Sequence, residues 1–136
     1  MALAAAEETT SLVAFTLPGT PYSVRMARFY VRTALTYHGL GDYAEDAEAV
    51  TSELVTNAIA HAEAQAINLE LMRLDDSGAI VVVVTDPSPF PPVKCDPPAG
   101  AEHGRGLHVV EALSARWGWT PQPSGKAVFA IFTRAT

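Results

Sequence analysis

The pattern of apolar and polar positions divides the chain into short extended segments and longer helical ones. Five stretches have the brief apolar or alternating pattern of strands: Ser11–Leu17, Ile67–Leu74, Ile80–Thr85, Trp117–Thr120 and Val128–Thr133. Turn-forming residues at Asp75–Gly78 and Pro121–Gly125 separate the last four into two pairs. The sequence therefore predicts one leading strand and two hairpins.

Three segments have apolar residues at helical spacing instead: Ser23 to about Tyr37, Ala44–His61 and Leu107–Ala115. Asp42, followed three residues later by Glu45, has the spacing of an N-cap and a capping-box partner for the second helix. In this order of elements, the helices must collect on one face of the sheet. We therefore expect an α+β two-layer sandwich, with about five mainly antiparallel or mixed strands under three helices.

A long segment from Asp86 to about His103 has no periodicity and carries six of the ten prolines. A loop of this length inside a compact domain is usually functional, most often a lid or a binding loop. The segment is therefore a candidate for covering a site.

Length and composition limit the class of protein. The chain has 136 residues, which predicts a single domain over residues 11–136 after a flexible end at 1–10. No apolar run approaches the roughly 18–20 residues of a membrane span, and the first residues lack the basic leader of a signal peptide. The lone cysteine, Cys95, allows no internal disulfide, so a reducing cytoplasmic location is expected.

The charge balance argues against direct binding of nucleic acid. Nine Lys and Arg stand against fifteen Asp and Glu, which gives a formal net charge of −6. Binding to DNA or RNA depends mainly on neutralising phosphates with basic side chains. A direct nucleic-acid partner is therefore not expected.

The first candidate for chemistry is a polar stripe on the second predicted helix. Glu53, Asn57 and His61 are spaced four residues apart, so they lie along one side of the helix. A carboxylate, an amide oxygen and an imidazole in this arrangement suit a site for Mg²⁺ and phosphate, with Glu53 as a general base. A solvated face of an amphipathic helix is the alternative that spacing alone leaves open.

Two further candidates flank the long loop. Asp86 ends the β-branched strand, where a carboxylate can accept a hydrogen bond from the exocyclic amine of a ligand, or simply end the strand at a turn. Gly104-Arg105-Gly106 precedes the third helix, where backbone amides and a helix N-terminus can bind phosphate. Taken alone, the two glycines are better explained by a loop that needs positive φ angles before a helix.

Taken together and in this order, these segments resemble the Bergerat-fold (histidine-kinase-like) ATPases, and most closely the stand-alone anti-sigma-factor serine/threonine kinases of actinobacteria. Glu53 to His61 resembles the N box of that family, and the strand ending at Asp86 resembles the strand before its first glycine box. Gly104-Arg105-Gly106-Leu107 resembles its second glycine box. The resemblance extends over about residues 11–134, including the closing hairpin.

The resemblance implies a role for each matching residue. Asn57 would bind Mg²⁺, Glu53 would be the catalytic base, and His61 would lie near the phosphates of ATP. Asp86 would bind the adenine amino group, while Gly104, Arg105, Gly106 and Leu107 would hold the triphosphate. The loop from Pro87 to His103 would be the ATP lid, and Lys126 would lie near the nucleotide.

The resemblance also implies partners: an anti-anti-sigma protein as phosphoryl acceptor, and a sigma factor that the kinase sequesters, with a homodimer as one open arrangement.

The sequence departs from the family pattern at one place, and this leaves an alternative function open. The family's first glycine box is Asp-x-Gly-x-Gly, whereas this chain has Asp86-Pro87-Ser88-Pro89-Phe90, and proline restricts the backbone and lacks an N–H. A non-catalytic partner-binding regulator therefore stays open beside the kinase, as does a detached histidine-kinase ATP domain.

Overall fold

A computed structural model describes residues 8–62, 65–92 and 106–134, with the backbone alone at 61, 62 and 106. Within these residues, five strands form one antiparallel sheet. These strands are β1 (Thr9–Leu17), β2 (Ile67–Leu74), β3 (Ile80–Asp86), β4 (Arg116–Gln122) and β5 (Gly125–Phe132). Their order across the sheet is β1-β2-β3-β5-β4, and every neighbouring pair is antiparallel. Every neighbouring pair except β3–β5 consists of strands that are consecutive in the chain. Strand β3 lies at the centre of the sheet.

The helices are α1 (Tyr22–Tyr37), α2 (Ala44–Ala62) and α3 (Gly106–Leu113), with a 3₁₀ turn at Gly41–Tyr43 before α2. α2 lies between the other two helices and also contacts β3, while α1 contacts β1. The predicted α+β two-layer sandwich is confirmed, and its sheet is antiparallel throughout the described residues. No helix in the described part of the chain is long and apolar enough to cross a membrane.

Strand β3 shows how the two faces of the sheet differ. Successive side chains of a strand point to opposite faces, and Ile80, Val82 and Val84 belong to the main core under the helices. Val81 lies on the other face, in a smaller apolar cluster with Ile131. The continuous β-branched run of β3 is therefore explained by burial on both faces.

The second helix begins differently from the prediction. Asp42 was expected as its N-cap, but this residue lies inside the 3₁₀ turn, which leads directly into α2 at Ala44. Leu40 flanks that turn instead, and its carbonyl accepts a hydrogen bond of 3.1 Å from the Tyr43 N–H. The predicted capping role of Asp42 is therefore wrong.

Two boundaries near the C-terminus also differ. α3 ends at Leu113 rather than at Ala115, because the Ala115 N–H donates to the Ile131 carbonyl at 2.8 Å and so joins the sheet. In the closing hairpin Gln122 pairs with Gly125, so only two residues form the turn.

The division of the chain into a flexible end at 1–10 and a single domain at 11–136 stays a prediction.

Candidate functional site

The end of β3 and the start of β5 bring a buried ion pair together. Asp86 and Lys126 are directly opposite in the register of the two strands. Lys126 Nζ donates to Asp86 Oδ1 at 3.0 Å, and each side chain is only 2% exposed. Two charges can be buried in this way because each compensates the other, whereas either one alone would be costly.

The segment after β3 supplies a second donor to the same oxygen. The backbone N–H of Ser88 donates to Asp86 Oδ1 at 2.8 Å, and the N–H of Phe90 donates to Ser88 Oγ at 3.3 Å. These two successive side-chain-to-backbone turns hold the backbone at the positions where the ATPases that the sequence resembles have glycines. Among the described residues no donor contacts Asp86 Oδ2, so that oxygen has capacity to accept a further hydrogen bond.

Gly125 allows the two strands to approach closely at this point. Its φ is +154°, and a Cβ atom placed there would lie 1.9 Å from the Asp86 carbonyl oxygen. No real Cβ is found at such a distance from a backbone oxygen. The glycine is therefore a condition for the placement of Lys126 beside Asp86.

Glu53 and Asn57 lie on α2 at the border of its buried face. Both residues are half-buried, whereas Thr56 between them is exposed. Leu54, on the adjoining side of the helix, is 2% exposed and belongs to the core. The two polar side chains are thus placed one helical turn apart, beside the core rather than on the fully solvated face. The side chain of His61 lies outside the described residues.

The second glycine box is described only from Gly106, where α3 begins; Gly104, Arg105 and the predicted lid beyond residue 92 lie outside the described residues. Leu107 is 3% exposed and packs in the core, so only its backbone is available to a phosphate. The first N–H groups of a helix have no partner within the helix and attract anions. The start of α3 therefore fits the predicted phosphate role through its backbone.

α2 connects the three predicted motifs. It carries Glu53 and Asn57, and it contacts both β3, which ends at Asp86, and α3, which starts at Gly106. The candidate residues are therefore carried by elements that pack against each other. Their roles in binding and catalysis stay predictions.

Sequence reasoning missed two features of this region. The hydroxyls of Thr51 and Ser52 are buried and have no hydrogen-bond partner among the described residues, and Thr51 is fully buried. A helical Thr or Ser hydroxyl often donates to the carbonyl four residues earlier, and neither does so here. The polar residue at position 51 within the apolar side of α2 was the available signal. The ion pair between Asp86 and Lys126 was also missed, because nothing in the local pattern sets the register between β3 and β5.

The donor set can be tested against Mg²⁺. Within the described ranges, no group of three or more His, Cys, Asp or Glu side chains lies close enough to hold a metal ion. Mg²⁺ usually keeps several waters and binds through one or two protein oxygens together with substrate phosphates. One amide oxygen from Asn57 fits that mode of binding and does not amount to a metal site on its own.

Comparisons with known proteins identify the domain family and a solved structure of similar fold. Residues 17–132 match the model of a family described as the histidine kinase-like ATPase domain. The crystal structure of the RsbU and RsbW domains of Rv1364c from Mycobacterium tuberculosis is similar in fold, with a TM-score of 0.66 and 21% sequence identity. The match covers 89% of this chain and 32% of the Rv1364c chain in that structure. This chain therefore spans about a third of the length of its structural neighbour. A comparison with curated proteins finds no match.

Proposed function

This chain belongs to the histidine kinase-like ATPase domain family, and from that premise we propose that it binds ATP with Mg²⁺ and acts as an anti-sigma-factor-type serine/threonine protein kinase. Its acceptor would be a serine or threonine of an anti-anti-sigma protein, and its second partner a sigma factor. The observation that carries the proposal is the pair of Glu53 and Asn57, one turn apart on α2 and half-buried beside the core.

The pair suits phosphoryl transfer because the two side chains have complementary tasks. The Glu53 carboxylate accepts the proton of the acceptor hydroxyl as its oxygen attacks the γ-phosphorus and ADP leaves. The Asn57 side-chain oxygen is a suitable ligand for Mg²⁺. When bound, this ion neutralises charge on the phosphates. Partial burial lowers the local dielectric and strengthens both interactions.

The rest of the site would bind the nucleotide. Asp86 would accept a hydrogen bond from the exocyclic amine of adenine. The start of α3 at Gly106 and Leu107 would bind phosphate through backbone N–H groups. His61, Gly104 and Arg105 belong to the same proposal through the family resemblance.

Phosphoryl transfer tests the kinase directly. The purified chain is incubated with γ-labelled ATP and a panel of anti-anti-sigma proteins from the same genome, and phosphoserine or phosphothreonine is quantified. We expect Glu53→Gln to reduce the rate about 10²- to 10⁴-fold, the usual contribution of a general base, with ATP affinity nearly unchanged. Glu45→Gln is the matched control, because Glu45 is an exposed carboxylate in the first turn of the same helix. Equal transfer by wild type and Glu53→Gln would refute the assigned role of Glu53.

A second candidate function is a non-catalytic regulator that binds its partner without turnover. The altered first glycine box favours it: Ser88 and Phe90 stand where the family has its two glycines, and Pro87 and Pro89 beside them restrict the backbone and lack an N–H. Calorimetric titration of Mg-ATP and Mg-ADP separates the two candidates. Micromolar binding, about −8 kcal/mol, that is lost in Asn57→Ala and Asp86→Ala supports the nucleotide site. Absence of binding at millimolar nucleotide, with sigma-factor binding retained in Glu53→Gln, supports the non-catalytic regulator. A cytoplasmic location and a homodimer stay predictions.

A further inference from the structure

We propose that Lys126 is the positioning residue for recognition of the nucleotide base: it holds Asp86 by one carboxylate oxygen and leaves the other for an N–H donor of the base. The inference rests on the proposed nucleotide-binding function and deepens it. It assigns a base-selecting role to a residue of β5 that does not itself need to touch the base.

The two carboxylate oxygens of Asp86 differ in their hydrogen-bond partners. Oδ1 accepts from Lys126 Nζ at 3.0 Å and from the Ser88 N–H at 2.8 Å. Both donors follow Asp86 in the sequence, one in the segment directly after β3 and the other on β5. Together they hold Oδ1, while Oδ2 receives no donor from the described residues.

Burial gives the lysine its second effect. The side chains of Asp86 and Lys126 are each 2% exposed, and a buried charge is costly unless an opposite charge compensates it. The carboxylate paired with this ammonium group accepts hydrogen bonds and donates none. Oδ2 therefore favours a base with an N–H donor, such as the exocyclic amine of adenine. A base without that donor would cover this oxygen and leave it unpaired, which is costly.

The position of the Asp86 carboxylate is stabilised by neighbouring residues although the two glycines of the family's first box are absent. Ser88 Oγ accepts from the Phe90 N–H, so the segment that presents the Ser88 N–H is itself held in place. Gly125 permits β5 to lie against the Asp86 carbonyl, and Lys126 follows it directly. The lysine thus acts from a fixed strand rather than from a mobile loop.

The test compares two nucleotides that differ only in the exocyclic amine, ADP and purine riboside 5′-diphosphate. Their Kd values are measured by calorimetry, with Mg²⁺, for wild type, Lys126→Met, Lys126→Arg and Arg116→Met. We expect wild type to bind ADP at least tenfold more tightly. Lys126→Met should reduce this preference to about threefold or less, and Lys126→Arg should restore most of it. Arg116→Met removes one positive charge from an exposed position on β4 and should leave the preference unchanged.

Two outcomes in Lys126→Met would overturn the inference. If both Kd values rise by the same factor, Lys126 has only a structural role. If ADP binds more tightly and the preference grows, Lys126 competes with the base for Asp86. Should Lys126→Met fail to fold, the double variant Asp86→Asn/Lys126→Met removes both buried charges. A preference as strong as that of wild type in this double variant would likewise refute the proposal.

The wild-type titration separates this inference from the proposed function. If wild type binds neither nucleotide at millimolar concentration, the nucleotide site and the inference fall together. If it binds both equally well, the inference is wrong and nucleotide binding stands. Loss of phosphoryl transfer with an intact preference for ADP removes the kinase function alone.

Discussion

At the scale of single residues, the candidate site depends on positions whose neighbours lie far away in the sequence. Asp86 and Lys126 are 40 residues apart and form a hydrogen bond of 3.0 Å. Gly125 makes that contact sterically feasible, because any side chain there would overlap the Asp86 carbonyl. A backbone atom cannot move aside as easily as the end of a flexible side chain. Substitution of this glycine must therefore displace a strand.

We predict that Gly125→Ala destabilises the protein by about 2 kcal/mol or more, because it introduces a Cβ clash and a strained positive φ. Gly41→Ala is the matched control: a Cβ there meets nothing within 4 Å, and its φ lies outside the positive range. The control should change the free energy of unfolding by less than about 1 kcal/mol. Urea denaturation of both variants measures the difference. Equal stability of the two variants would contradict the close approach of β5 to β3.

At the scale of elements, a buried carboxylate on α2 connects this helix to α1. Glu48 is 8% exposed in its side chain, and it accepts from Arg32 Nε at 2.6 Å, with Arg28 Nε at 3.8 Å. The structure shows that these arginines reach over to the neighbouring helix instead of facing water alone. The pairing compensates a carboxylate that would otherwise be desolvated without a partner.

We predict that Glu48→Gln lowers the free energy of unfolding by about 1 kcal/mol, the usual net worth of a charge-assisted contact with half-exposed partners. The arginine side chains are 52% and 63% exposed, so 1 M NaCl should reduce the difference between variant and wild type. Urea denaturation at low and high salt measures both effects. Glu45→Gln, on the exposed side of the same helix, should stay within about 0.5 kcal/mol of wild type. A loss in Glu48→Gln that is no larger than in this control would argue against the contact between the helices.

At the scale of the whole molecule, the helices cover one face of the sheet, and burial is greatest at its centre. In β3, Ile80, Val81 and Val82 are each 0% exposed, and this strand is paired on both sides. The edge strands β1 and β4 each have one side unpaired within the described sheet, and many of their residues are exposed. Local opening is easier where few apolar contacts are lost. The sheet should therefore be most stable at its middle.

We predict that amide hydrogens of β3 and β5 exchange most slowly, near the limit set by global unfolding, and that those of β4 exchange earlier. Hydrogen exchange followed by mass spectrometry or NMR measures this order. The Gly125→Ala variant should speed exchange in β3 and β5 together, because the clash lies between these strands. Exchange in β4 slower than in β3 would contradict the strand order of the sheet.

Much of the architecture could be predicted from local pattern. The alternation in Ile67–Leu74, the β-branched run before Asp86 and the helical spacing around Leu54 each reflect the side chains of a few consecutive residues. Such periods survive in the sequence, because each element must present an apolar face to the same core. Boundaries were less well determined: Ala115 has a helical pattern but donates its N–H to Ile131 in the sheet.

The elements, their layering and the polar stripe of Glu53 and Asn57 could be predicted from the sequence, since all of these follow from spacing within single segments of the chain. Tertiary structure alone decided the partners: Lys126 with Asp86, and Arg32 with Glu48. The register of β5 against β3 depends on packing of both faces of the sheet and on the close approach at Gly125. Contacts between residues that are distant in the sequence form only when the elements pack around the core. The local sequence of β3 or β5 therefore does not predict the register between these strands.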